Sequence, residues 1–324
     1  MSPKDVRDLL LKVTHHEHTN ATEVLAMTIM KVSLLCFSSS SESYTVIIMQ
    51  ELGHFALAVV QAGMYIFRSG CGIGPYPQLY QTCRSNLLEE YCDYTHKMDG
   101  YEWTVYMTWQ LSFEQLRTHS AQAARFLQLC AFLHHDGISQ AIFQNAAVNI
   151  ESFADNQESN SLSNAKDFLD LFLTSAAWDT WKFLKIVSEI RSYSLIDFDD
   201  KAEVYSIHPL VRDWICVTMS HRKATCASTQ CILGMSVSWK FESENYSFRQ
   251  TLLPHIDVVL QGGTATRPDL NARLVYTYSE AGRWKEAENL WLLVMEMRKR
   301  VLGEEHPELL MSMANLVLTY RNQG

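Results

Sequence analysis

Near its C-terminal end the chain repeats itself. Leu274-Val275-Tyr276-Thr277-Tyr278-Ser279-Glu280-Ala281-Gly282 lines up with Leu316-Val317-Leu318-Thr319-Tyr320-Arg321-Asn322-Gln323-Gly324 at an offset of 316 − 274 = 42 residues. Leu, Val, Thr, Tyr and Gly recur at matching places. A period of this size is the mark of a stacked helical solenoid, in which each helix pair leaves an apolar face that only the next pair can cover. The second copy reaches only its first helix, so the expected array is short.

The 324 residues allow roughly two to three ordinary domains, each able to bury a core. Hydrophobic residues make up 47% and charged residues 19%, which is globular composition. A net charge of −9 repels phosphate backbones, so no nucleic-acid partner is expected. The eight cysteines have no CxxC spacing and read as reduced cytosolic thiols. The longest apolar stretch, Val24 to Phe37, is interrupted by Lys31 and is too short for a bilayer. Lys4, Asp5 and Arg7 replace the apolar core of a signal peptide. A cytoplasmic chain with no membrane partner is expected.

Along the chain, Ser2-Pro3-Lys4-Asp5 reads as a helix start. Ser38 to Ser43 is a serine-rich break, and Gly70 to Pro77 is a turn cluster. Helices are expected over Glu51–Phe67, Leu79–Tyr94, Tyr101–Leu116, Ala121–His134 and Ile138–Asn145. Asn156 to Asn164 reads as a polar connector, and Ala165 to Tyr193 as helix with a weak spot around Thr174 to Ala177. Ser194–Phe198 and Glu203–Ile207, joined by Asp199-Asp200-Lys201, carry a hairpin signal, and a helix over Pro209–Thr218 follows. Helices, one β-hairpin and a further helix is the order of a winged-helix subdomain.

Leu274, Tyr278, Gly282, Trp284, Ala287 and Leu290, followed by Arg300-Val301-Leu302-Gly303-Glu304-Glu305-His306-Pro307, resemble the tetratricopeptide repeat of kinesin light chains and related fungal proteins. Small Gly282 and Ala287 permit close helix approach, and Tyr278 and Trp284 fill the gap between helices. Pro307 and Tyr320 are expected to join Leu274, Tyr278, Gly282, Trp284 and Ala287 in packing the repeats. Upstream, Leu111-Ser112-Phe113-Glu114-Gln115-Leu116 and Phe126 to Leu133 resemble the helices opening the winged-helix domain of NB-ARC proteins, the STAND-class signalling ATPases. Arg191 to Ile196 and Ile207-His208-Pro209-Leu210-Val211-Arg212-Asp213 are similar to that domain's closing strand and its "MHD" motif. Leu52-Gly53-His54-Phe55-Ala56-Leu57-Ala58 resembles the "GLPLA" motif of the first helical subdomain.

The resemblance implies ADP contacts at Gly53, Ala56 and His208, the histidine meeting the β-phosphate. It also implies ADP/ATP exchange and homo-oligomer formation in full-length relatives. The chain departs from the family in lacking a GxxxxGK[ST] loop and an acidic Walker B strand, so it reads as starting after the P-loop domain. Gly70-Cys71-Gly72-Ile73-Gly74 has no lysine, Ala56 replaces the family's proline, and Pro209 its aspartate. No bound cofactor and no ATPase activity are therefore expected of this chain. For His208 the simpler role is a neutral imidazole accepting a backbone N–H at a helix start. For Gly53 and Ala56 it is close helix packing.

His15-His16-Glu17-His18 and His134-His135-Asp136 have metal-ligand residue types, but neither completes a zinc set, and a solvated helix end and a cap are their ordinary roles. No Gly-x-Ser-x-Gly elbow is present. Met297-Arg298-Lys299-Arg300 reads as a solvated helix C-terminus. The expected fold is mostly α. A helical ARC-type subdomain spans 1–100, with 31–46 as an insertion or mis-spliced segment. A winged-helix subdomain with one β-hairpin spans 101–220, a helical linker 221–268, and an α-solenoid of truncated tetratricopeptide repeats 269–324. The expected function is a signalling and interaction module, the switch-and-sensor half of a STAND protein, binding protein or peptide partners through its repeats. The alternative is a kinesin light chain-like peptide scaffold with no nucleotide role.

Overall fold

The computed structural model describes residues 56–71, 74–90, 100–153, 160–238, 243–262 and 267–323. The expected helix at Ser2, the His15–His18 group, segment 31–46 and Gly53 lie outside them. The fold is mostly helical, with two small antiparallel hairpins among the described residues. Contacts divide the chain into two compact units, residues 1–127 with 185–214, and residues 128–184 with 215–324.

In the first unit, α1 (Ala56–Ser69) and α2 (Tyr76–Glu90) pack on α3 (Gly100–His119). Ala58, Ala62, Met64 and Ile66 form the buried face of α1. Tyr65, Tyr76 and Tyr80 form a ring ladder with centroids 5.7 and 6.3 Å apart. Gln61 donates to the Ser194 carbonyl at 2.9 Å, and Arg68 pairs with Glu189 at 2.8 Å. The hairpin of β3 (Asp197–Asp199) and β4 (Val204–Ser206) sets Phe198 opposite Tyr205, their rings 4.7 Å apart. Asp199 accepts the N–H groups of Lys201 and Ala202, which fixes the turn. The hairpin leads into α8 (Pro209–Thr218), whose buried Trp214 meets Trp109 and Phe113 of α3 at 6.1 and 5.6 Å.

The elements between and beyond are α4 (Ala121–Cys130), α5 (Gln140–Asn149), α6 (Asn160–Leu169), α7 (Thr180–Arg191), α9 (Arg222–Ser236), α10 (Ser243–Gln261), α11 (Pro268–Glu280), α12 (Trp284–Leu302) and α13 (Pro307–Gln323). Within the second unit, α9 is the central helix and packs on α5, α6, α10 and α11. Every residue of α9 from Ser228 to Ser236 is buried. Its polar members are satisfied locally or across the core: Thr229 donates to the Leu129 carbonyl at 3.2 Å, and Gln230 donates to Asn271 at 2.8 Å.

Three expectations are corrected here. The polar connector ends at Asn160, where α6 starts, because Leu162, Ala165, Phe168 and Leu169 supply a buried stripe. The helix from Ala121 stops at Cys130 rather than His134, and the chain continues as a turn whose Phe132 and Leu133 N–H groups bond back three residues. The helix read over 165–193 is broken in two. A hairpin of β1 (Leu173–Thr174) and β2 (Ala177–Trp178) intervenes, with Ser175 and Ala176 at φ 52° and 63°. Asp179 then restarts the helix by accepting the N–H groups of Trp181 and Lys182 at 3.0 and 3.2 Å. Phe172 holds the break in place against Phe168, Trp178 and Phe183.

Two positions make this packing testable. A Cβ at Gly234 would stand 2.8 Å from the Leu270 Cβ, so α9 and α11 touch there because glycine has no side chain. Gly234→Ala is expected to cost about 1–3 kcal/mol in urea unfolding despite alanine's better helix propensity; an unchanged midpoint contradicts the close approach. His255 of α10 is 1% exposed, takes the His134 N–H on Nδ1 at 3.1 Å, and has Nε2 3.1 Å from the Gly137 carbonyl. That fixes the neutral Nε2–H tautomer, and burial lowers its pKa from 6.5 to about 4. A depressed histidine leaves stability unaffected above the unfolded pKa. Stability is then lost as pH falls from 6.5 toward 4. The expected loss is about 3 kcal/mol. His255→Gln removes this titration, so a wild-type pH slope in that variant contradicts it.

Candidate functional site

The repeat helices are built by local signals. Arg267, extended and paired with Asp269 at 2.9 Å, precedes Pro268 at the first turn of α11. The helix ends at Glu280, and Gly282, at φ +71°, lets the Arg283 N–H return to the Tyr278 carbonyl at 2.9 Å. The chain then reverses into α12. Pro307 opens α13, where His306 Nδ1 accepts the Glu308 N–H at 3.2 Å. Helix α12 packs along both α11 and α13.

Of the residues expected to pack this repeat, Leu274, Tyr278 and Ala287 are buried together with Leu290, Trp291 and Val294. Trp284 is half-buried and lines a hollow with Gly282, Arg283, Glu286 and Glu288. Pro307 and Tyr320 are exposed. The internal repeat explains the difference. Val275 and Tyr278 are 0% and 3% exposed, whereas their counterparts Val317 and Tyr320 are 64% and 45% exposed. Leu316 and Thr319, which match Leu274 and Thr277, are buried in both copies. Helix α13 therefore buries one face of the repeat pattern and presents the other.

Polar groups lock the stack. Asp257 of α10 accepts the Tyr278 hydroxyl at 2.7 Å and Arg283 at 2.8 Å, while the Arg283 guanidinium lies 4.8 Å from the Tyr278 ring centroid. Burial and the Asp257 carboxylate raise the Tyr278 hydroxyl far above the usual phenol range. Arg249, 1% exposed, holds Glu280 bidentately and donates to the Ser238 carbonyl. Arg273 donates to the Val237 carbonyl at 2.6 Å and covers the Phe153 ring at 4.4 Å. The Met297–Arg300 run is corrected as well: Arg298 is 6% exposed, not solvated, and donates to the Glu308 carbonyl at 2.9 Å and to Ser312 at 2.6 Å. The sequence reading missed Asp257, Arg249, Arg273 and Arg298, because an arginine turned inward looks like any surface arginine until its partner is known. Beside them, Leu292, Met295, Leu309 and Met313 floor a groove of about 460 Å³ between α12 and α13, rimmed by Glu296, Glu304 and Lys299.

The residues expected to meet nucleotide lie in the N-terminal unit. Gly53 is outside the described residues, and Ala56 opens α1 without a described side chain. His208 is exposed at the start of α8; its Nδ1 accepts the Leu210 N–H at 3.3 Å and its ring lies 6.4 Å from Trp109. Among the described residues no group of three His, Cys, Asp or Glu is placed to hold a metal ion, and no helix is long and apolar enough to cross a membrane. No disulfide joins the described cysteines, and burial raises the thiols of Cys130 and Cys226 and takes that of Cys83 to about 11.

The two tyrosines separated by one repeat respond differently to loss of their hydroxyls. Tyr278→Phe strips a partner from a carboxylate and is expected to cost about 1–2 kcal/mol in urea unfolding, whereas Tyr320→Phe, half in solvent, is expected to change stability by less than about 0.5 kcal/mol. Equal losses contradict the asymmetry of the two copies.

Comparison with known proteins agrees with the repeat. Residues 272–308 match a tetratricopeptide repeat, and residues 112–224 match a domain of unknown function, DUF7779. A nucleotide-binding leucine-rich repeat (NLR)-like protein of Hyaloscypha variabilis is 20% identical over 282 residues, 82% of this chain and 25% of the relative. The chain thus spans about a quarter of that relative's length. No solved structure matches. The chain is similar to an NLR-like protein and carries a tetratricopeptide repeat.

Proposed function

We propose that this chain is the switch-and-sensor part of a STAND-type signalling protein, with its tetratricopeptide helices binding protein partners. The observation that carries the reading is the repeat itself. A matched repeat at 272–308, packed as α11 and α12, adjoins a helix whose second face is apolar and exposed. Helical repeats of this kind serve as extended protein-binding surfaces. The likeness of most of the chain to an NLR-like protein supports placing that surface in a signalling protein.

In this reading the N-terminal unit is the switch. Its helices, the hairpin β3–β4 and α8 follow the order of the winged-helix domain in NB-ARC proteins. ADP contact through Gly53, Ala56 and His208 belongs to the full-length architecture, where a phosphate-gripping loop supplies the main affinity. Without such a loop an imidazole on an exposed helix start contributes a single interaction, too little to hold a nucleotide at micromolar concentration. The chain is accordingly a binding module in the cytoplasm and not an ATPase.

A specific observation also favours the nucleotide-free scaffold: the bond from Leu210 to His208 Nδ1 already gives the imidazole a structural role. One experiment separates the two readings. The purified chain is melted with millimolar ADP and with peptides selected against it from a display library. Selected peptides are expected to raise the melting temperature in both readings. A small ADP shift abolished by His208→Ala supports the STAND switch, and no ADP shift leaves the scaffold. ATP turnover lost in His208→Ala, or a library that yields no binder, overturns the proposal.

A further inference from the structure

Helix α10 is tied down on two sides by residues two positions apart, which leave a helix roughly 200° from one another. His255 ties it to the turn at 134–137 through the His134 N–H and the Gly137 carbonyl. Asp257 ties it to the first repeat, accepting the Tyr278 hydroxyl at 2.7 Å and Arg283 at 2.8 Å. Pro254 stands just before this pair, inside the helix. It has no N–H to give the Gln250 carbonyl, so α10 bends most easily at the turn that carries both ties.

The turn at 134–137 is built around an uncharged ring. Gly137, at φ +79°, brings its carbonyl to 3.1 Å from Nε2, and Nδ1 accepts the His134 N–H at 3.1 Å. A neutral imidazole has one donor and one acceptor, and both are used. A second proton has only Nδ1 to bind, where it points at the His134 N–H and replaces that hydrogen bond with a clash of two donors. The resulting cation sits in a place that is 1% exposed. The titratable groups that act on the ring are His134, which repels a positive charge, and the exposed Asp136, which attracts it. The His134 ring lies 6.2 Å from His255 and 4.2 Å from His135. From α9 and α11, which also pack on α10, the titratable side chains are engaged elsewhere: Cys226 with the Val259 carbonyl, Tyr278 with Asp257, and Glu280 with Arg249. Burial is the largest influence and takes the His255 pKa from 6.5 to about 4.

We infer that His255 is a proton-operated latch on the first repeat. A proton taken from solvent by Nδ1 expels the ring from the 134–137 turn and frees the part of α10 beyond Pro254. Asp257 is carried away with it, so Tyr278 and Arg283 lose their shared carboxylate. The apolar contacts of Leu252, Ile256 and Val259, each 0% exposed, keep the latch shut while the ring is neutral. The opening is local, leaving α9 and its neighbours folded. It goes beyond the partner-binding reading and holds whatever the repeats bind.

The test is residue-resolved amide exchange of the intact chain from pH 6.5 to about pH 5, expressed as opening constants corrected for intrinsic rates. The His134 and Arg283 amides report the two ties, and the amides of Cys231 to Leu233 report the core of α9. Both ties are expected to open at least about tenfold more often at the lower pH, and at every pH more often than the α9 core. In His255→Gln the pH dependence of both is expected to disappear. Should that variant not fold, the wild-type chain still decides, because opening of the His134 amide that is independent of pH overturns the latch. Ties that open in step with the α9 core overturn it too, since the proton then acts through global unfolding. A His134 amide that responds while Arg283 does not overturns the link to the repeat.

Discussion

The stability of the C-terminal half rests on one requirement: a helix with apolar residues on opposite sides has to be covered twice. Helix α9 meets it through four neighbours, and α11 through α9, α10 and α12. Helix α13 has the same sequence pattern as α11 and meets the requirement on one side only. Packing thus propagates along the chain as a series of nearest-neighbour contacts, which is how repeat proteins accumulate stability.

Directional polar contacts select the order and register of this stack. Four arginines, Arg249, Arg273, Arg283 and Arg298, each join one helix to a neighbouring element, and three of them are buried. A buried ion pair adds little net stability over a well-packed apolar alternative, since desolvation offsets much of the attraction. What it adds is discrimination. Slipping α11 against α10 by one turn would leave Arg249 and Glu280 buried and unpaired, which costs far more than the pair contributes. His255 does the same for the turn at 134–137, accepting from one backbone group and donating to another.

Much of the architecture was legible in the sequence. The repeat from Leu274, the helix from Pro209 and the β3–β4 hairpin are set by short-range signals: periodicity, a proline at a first turn, and an aspartate that closes a turn on itself; Gly282, read for close helix approach, is instead exposed and reverses the chain at φ +71°. The interruption at Ser175-Ala176 was visible only as a weak spot. Neither residue favours the left-handed backbone it adopts, and packing of Phe172 against Trp178 holds the hairpin there. The first turn of the helix from Asn160 was read as linker because Asn160, Ser161, Ser163 and Asn164 are polar, although Leu162 already begins the buried stripe.

The functional surface was legible in part. Its repeat residues carried a recognisable pattern, but Asp257 sits in a segment taken for a linker, and inward arginines have no one-dimensional signature. The asymmetry between Tyr278 and Tyr320 is one of burial, so matching residues of the two copies differ in exposure. The central claim, that α13 is covered on one side and presents the other, is tested most directly by residue-resolved amide hydrogen exchange through 267–323 of the monomeric chain. The account predicts that amides of α11 exchange at least about a hundredfold more slowly than those of α13, because opening α11 requires unpacking three neighbours. Equal protection of the two helices in the monomer would mean that α13 is already covered on both sides, and would contradict it.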